Sequence, residues 1–108
     1  MIDFGLPDYP RSTARLAPSR PVVLCLSGHD PSGGAGLQAD IEALLAQGCH
    51  AAPAVTALTV QDTVNVTDFR VLDRDWVLAQ AHAVIADMPV AAVKLGTVSY
   101  THLTLPTK

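Results

Sequence analysis

Residues 22–26 are an unbroken apolar run, Val22, Val23, Leu24, Cys25 and Leu26, and the pattern changes sharply on either side of it. A short, β-branched run with no polar alternation predicts a strand covered on both faces, central in a parallel sheet. Ser27, Gly28, His29, Asp30, Pro31, Ser32, Gly33, Gly34 and Gly36 follow, a density of turn formers that predicts a break into loop. From Leu37 the apolar positions switch to a helical period, Leu37, Ile41, Leu44 and Leu45, with Gly48 as the stop. Asp40 falls at the border of that stripe, from which it can reach toward the sheet edge.

Residues 54–60 are again apolar and β-leaning, ending at Gln61, Asp62 and Thr63. Two strands joined through a helix predict a right-handed parallel crossover, which brings both carboxyl ends, at Ser27 and near Thr59, to one edge. The glycine turn and Gln61 are therefore expected to face one pocket. Residues 64–71 predict an extension or edge strand, and Asp73 is placed to cap a second helix. In that helix Val77, Ala81, Val84, Ile85 and Met88 keep the period, His82 falls on the solvated side, and Pro89 ends it. Residues 90–95 predict the next strand, with Lys94 and Gly96 at its end. Residues 1–20, with Pro7, Pro10, Pro18 and three arginines, carry no sustained period and read as a flexible leader.

Length and charge narrow the function classes. At 108 residues and a net charge of −3 the chain is the size of one small domain, with no electrostatic case for nucleic acid or an anionic membrane. No run approaches a membrane span and no signal peptide is legible, so the cytoplasm is the expected compartment. Cys25 and Cys49 form no CxxC and have no histidine at ligand spacing, so neither a metal site nor a disulfide is expected.

The chemistry concentrates in the glycine turn, where backbone N–H groups meet a helix start at the carboxyl end of a strand. Asp30 is suited to accept loop N–H groups in an Asx-type turn and Ser32 to cap the turn. Gly28 and Ala35 are small at a place where close approach of a ligand is expected. The turn has no Gly-Lys-Ser/Thr ending and no G-x-G-x-x-G in register with a following acidic residue, which argues against a P-loop and a dinucleotide site. A small, neutral, planar ligand fits better. His29 has no nucleophile or carboxylate at a partner spacing and reads as a loop histidine.

The run SGHDPSGGAGLQADI followed by VTALTVQDTVNV resembles the N-terminal signature of the hydroxymethylpyrimidine/phosphomethylpyrimidine kinases of thiamine biosynthesis, in the ribokinase-like superfamily. The resemblance spans about residues 22–96. It implies a three-layer α/β ribokinase-like parallel sheet with flanking helices, of which residues 21–97 supply the N-terminal part only. It further implies that Gly28, Ala35, Asp40, Thr59 and Gln61 line or contact the pyrimidine, with Gln61 reading the ring.

Past Gly96 or Thr97 the resemblance stops. Residues 98–108, VSYTHLTLPTK, resemble translated adapter read-through and are expected to be a foreign or disordered tail. The family's catalytic and ATP-holding residues lie in a later glycine-rich turn, so the resemblance places no catalytic residue and no metal ligand here. It implies ATP and Mg2+ for the full-length family, with neither expected to bind well to this chain, which should be inactive alone. The expected partner is a small pyrimidine, with a homodimer left open for the full-length protein. The alternatives are a pyridoxal or pyridoxine kinase relative and a non-catalytic pyrimidine-binding domain.

Overall fold

The computed structural model describes residues 20–96. The leader expected over residues 1–20, all but Arg20, and the tail expected over residues 98–108 lie outside them. Six elements follow in chain order: β1 (Val22–His29), α1 (Gly36–Ala46), β2 (His50–Gln61), β3 (Val66–Val71), α2 (Arg74–Asp87) and β4 (Val90–Leu95).

They form one four-stranded sheet in the order β3-β2-β1-β4. The apolar run of β1 is central, as its pattern predicts, and pairs in parallel with both β2 and β4. Alternation along β1 sends successive side chains to opposite faces. Leu24 and Leu26 pack with Ala54 of β2 and with Val77 and Ala81 of α2 in the buried core. On the other face, Lys94 lies opposite Cys25 and reaches Asp40 of α1. A helix therefore covers each face, which is the three-layer arrangement expected. Leu24 and Val77 are the largest apolar side chains sealed in this core, and truncating either to Ala removes contacts worth about 2–5 kcal/mol.

Several boundaries depart from the sequence pattern. β1 does not stop at Leu26: it runs to His29 across a bulge between Ser27 and Gly28, because β2 continues to pair with it as far as His29 opposite Leu58. Gly28 is thus a strand residue. β2 is longer than residues 54–60 at both ends, held by Val22 opposite His50 at one end and by β3 at the other. The sheet is also mixed, since β3 pairs antiparallel to β2. The reversal is local: Asp62 Oδ1 accepts the N–H groups of Val64 and Asn65, both at 2.8 Å, closing a tight turn. Leu45 and Ile85, expected on the apolar stripes, are 58% and 52% exposed, because no described element packs over them.

The helix termini follow their capping residues. Asp73 accepts the N–H of Trp76 at 3.0 Å and starts α2. Gly48, with φ of +79°, ends α1, and the N–H of Cys49 returns to the carbonyl of Leu44. His82 is exposed, as its place on the helix predicts.

Among the described residues, the lower part of β2 has no strand on its outer side. The N–H of His50 donates to Pro21 at 2.8 Å, which turns His50, Ala52 and Ala54 toward β1 and Ala51, Pro53 and Val55 outward. Pro53, with no N–H to offer, therefore sits where none is needed.

Candidate functional site

The loop after β1 is built around Asp30. Its Oδ1 accepts the N–H and the hydroxyl of Ser32 at 2.8 and 2.7 Å, and its Oδ2 accepts the N–H of Gly34 at 3.1 Å. Those bonds, the Ser32 hydroxyl first, hold the Asp30 carboxyl below its ordinary range against the opposing effect of burial. The Asx-type role is thus realised. Ser32 serves the turn as a donor, with its N–H and hydroxyl both given to Asp30, and Ala35, the residue before α1, offers no side-chain cap. Gly36 was not singled out by its sequence context, yet it is the tightest point of the loop. Its φ is +61°, and a Cβ there would overlap the carbonyl oxygen of Gly28.

At the exits of β1 and β2 three residues form a directional chain. The Thr59 hydroxyl donates to the carbonyl of His29 at 2.7 Å, and the Gln61 side-chain NH2 donates to the Thr59 oxygen at 2.6 Å. A backbone carbonyl cannot donate, so the single hydroxyl proton of Thr59 is committed to it, and the Thr59 oxygen is left to accept. That fixes the Gln61 amide with its nitrogen toward Thr59 and its oxygen away. Gly28 lies beside this chain: a Cβ there would meet Ala57 only at ordinary contact distances of 3.7 and 3.9 Å. Packing within the protein does not demand glycine at that position.

Asp40 is buried, at 8% exposure, on the face of α1 turned to β1 and β4. Its Oδ1 accepts from the Lys94 ammonium at 2.7 Å, while its Oδ2 is sealed from solvent with no hydrogen-bond partner among the described residues. Burial, with the Asp40 carboxylate adding to it and Lys94 opposing, pushes the Cys25 thiol up, so this cysteine is a buried, protonated neighbour and no nucleophile. Both cysteines are free.

The five expected residues thus fall into two groups and a hinge. Thr59, Gln61 and Gly28 stand together at the strand exits, Asp40 stands with Lys94, and the exposed Ala35 joins the loop to α1. Among the described residues no hydrogen bond links Asp40 to Thr59 or Gln61. A cavity of about 340 Å³ opens beside the glycine turn, lined by His29, Asp30, Leu37, Ile41, Pro53 and Val55, and none of the five lines it. No group of three or more His, Cys, Asp or Glu side chains among the described residues is placed to hold a metal ion.

This arrangement of strand exits, glycine turn and helix start has close counterparts. Residues 30–105 match the family described as phosphomethylpyrimidine kinase. The chain belongs to that family. The match runs through the loop, α1 and every later element, and continues beyond Gly96. A hydroxymethylpyrimidine/phosphomethylpyrimidine kinase of Mycobacterium tuberculosis is 46% identical over 76 residues, which are 70% of this chain and 28% of that protein. The crystal structure of phosphomethylpyrimidine kinase from Clostridium difficile superposes with a TM-score of 0.68 at 37% identity, covering 72% of this chain and 34% of that one. A pyridoxal kinase from Staphylococcus aureus, solved in complex with AMP-PCP and pyridoxal, gives a TM-score of 0.63 at 29% identity, over 73% of this chain and 30% of that one. The chain therefore spans about a third or less of the length of these relatives. Membership confirms the ribokinase-like fold. No described helix is long and apolar enough to cross a membrane.

Proposed function

We propose that residues 20–96 carry the pyrimidine-binding part of a kinase that phosphorylates the hydroxymethyl group of 4-amino-5-hydroxymethyl-2-methylpyrimidine, and then its monophosphate, with MgATP in thiamine biosynthesis. The observation that carries the reading is the chain from His29 through Thr59 to Gln61, which leaves the Gln61 carbonyl oxygen as a fixed acceptor at the strand exits. An exocyclic amine on a neutral ring supplies the matching donor. Gly28, which packing does not require to be glycine, leaves room for the ring beside it. Ala35 lets the ring approach the start of α1, and Asp40 adds a carboxylate. The pyrimidine is the substrate of the relatives at 46% and 37% identity by their names, whereas the pyridoxal kinase is matched at 29%.

Phosphoryl transfer depends on positioning and on electrostatic stabilisation of the moving group. The described residues offer neither a P-loop lysine nor a metal cluster for that task. The division of labour follows: this segment holds the acceptor alcohol, and the nucleotide is held elsewhere in the protein. Purified 1–108 material is expected to form no pyrimidine phosphate from ATP above a no-protein control.

The test of the pyrimidine reading is Gln61→Leu in the intact protein. Loss of a hydrogen bond in such a site costs about 1–3 kcal/mol, so KM for the pyrimidine should rise by about fivefold to a hundredfold. Unchanged kinetics would remove Gln61 from the site. Binding of the pyrimidine with no turnover of ATP by the intact protein would select a binding domain instead.

A further inference from the structure

β3 is exposed along its whole length, yet its side chains are sorted by face. Paired antiparallel with β2, it sets Val71 opposite Ala57, Phe69 opposite Thr59 and Val66 opposite Gln61. Residues directly opposite in such a pair share a face, with Cβ atoms about 5 Å apart. The charged Asp68 and Arg70 stand opposite Val60 and Leu58 and so belong to the other face. The Gln61 amide reaches Thr59 on the apolar face. Gly28 opens onto that face too, since a Cβ there would come within 3.9 Å of the Ala57 methyl. One face thus gathers the fixed acceptor, the missing side chain and a row of apolar residues, at whose centre the Phe69 ring is 64% exposed. Small-molecule sites have this composition, an apolar wall with a few placed polar groups.

We propose that Phe69 is a specificity-determining residue for the substrate: its ring packs on the flat heteroaromatic ring whose amine Gln61 accepts, with Val66 and Val71 continuing the wall on either side. The role rests on the reading of this site as a pyrimidine site and adds to it the surface on which the ring lies. Phe69 is diagonal to Gln61 across the pair, a separation of about 7–8 Å that a bound ring can bridge. Two aromatic rings in offset or edge-on contact gain more than the area they bury, which an aliphatic side chain in the same place does not supply. The wall therefore favours a planar, neutral ring over a saturated one.

The experiment measures binding of the hydroxymethylpyrimidine by calorimetry, together with melting temperature, in the intact protein and its variants. Phe69→Leu keeps an apolar side chain and should weaken binding about twofold to tenfold. Phe69→Ala also removes the buried area and should weaken it about tenfold to hundredfold. The melting temperature should hold in both, because the ring is exposed without substrate. Arg70→Ala, on the opposite face of the same strand, should bind as the wild type does. Phe69→Trp supplies a readout that a structural role would not move: its added indole fluorescence, relative to the parent protein, should be quenched by the pyrimidine. Wild-type affinity in Phe69→Ala, an equal loss in Arg70→Ala, or an indole signal that ignores the pyrimidine would overturn the role, while weakened binding in Gln61→Leu would keep the pyrimidine site. A fall in melting temperature with affinity unchanged would overturn it as well, assigning this face to cover by another part of the polypeptide. Absence of pyrimidine binding by the wild type would overturn both.

Discussion

The side chain of Gln80 pairs with the backbone of Val55 as a neighbouring strand would. Its Oε1 accepts the Val55 N–H and its Nε2 donates to the Val55 carbonyl, each at 2.9 Å. Val55 faces outward from β2 two residues before the β3 pairing starts at Ala57. α2 thereby locks β2 just upstream of Thr59 and Gln61. Gln80→Leu leaves a half-buried N–H and C=O unpaired and should lower stability by about 1–3 kcal/mol in urea unfolding. An unchanged unfolding midpoint would show that water replaces the amide without loss.

Thr59 orients Gln61, so the two should respond as one unit. Thr59→Val keeps the shape and removes the hydroxyl, releasing the Gln61 amide to rotate. Pyrimidine KM in the intact protein should rise several-fold, and Thr59→Ser should restore it. Equal KM values for the Val and Ser variants would mean the hydroxyl has no part in fixing the amide.

Two glycines with positive φ are expected to differ in what they tolerate. Gly48→Ala carries only the left-handed backbone cost of about 1 kcal/mol, because nothing lies within 4 Å of its new methyl. Gly36→Ala adds an overlap with the Gly28 carbonyl to that cost and should lose more than about 2 kcal/mol. Thermal unfolding of the two variants, compared side by side, reads the difference. Similar melting temperatures would mean the loop relaxes away from β1 at little cost.

Acid stability should report on Asp30. Its carboxyl is held below the ordinary value by the Ser32 and Gly34 donors. A lowered folded-state pKa stabilises fully above the unfolded value of about 3.9, and the contribution is lost as pH falls through the folded value. Asp30→Asn should therefore be less stable than wild type at neutral pH and converge with it in acid, at a pH below the ordinary carboxylate value of about 3.9. A stability difference that stays constant down to that pH would assign the loop's stability to something other than the ionised carboxylate.

The sequence was most informative where one physical factor dominated. The apolar runs of β1 and β4, the Asp73 cap and the Gly48 stop are each set by local chemistry, and they stand where the pattern puts them. The extent of β1 through Gly28 and His29 was not legible, because it depends on a bulge and on pairing with β2, which no local signal records. In the site, Asp30 is readable as a turn residue, whereas the Lys94 to Asp40 pair joins residues 54 positions apart and becomes visible only once β4 lies beside β1. Gly36 hid among other glycines, since only the approach of the Gly28 carbonyl distinguishes it from Gly33, whose φ is positive as well.

The position of Pro53 gives the sheet a direction of growth. A proline on the outward-facing side of β2, with the Gln80 amide occupying the next outward-facing residue, refuses a further strand along that flank. β4, at the opposite flank, carries no proline and presents Val93 and Leu95 at 54% and 47% exposure. Of the two edge strands that remain, β3 already carries the charged Asp68 and Arg70, so an added strand is recruited more readily beside β4, and charge placed on that strand should suppress self-association of this segment.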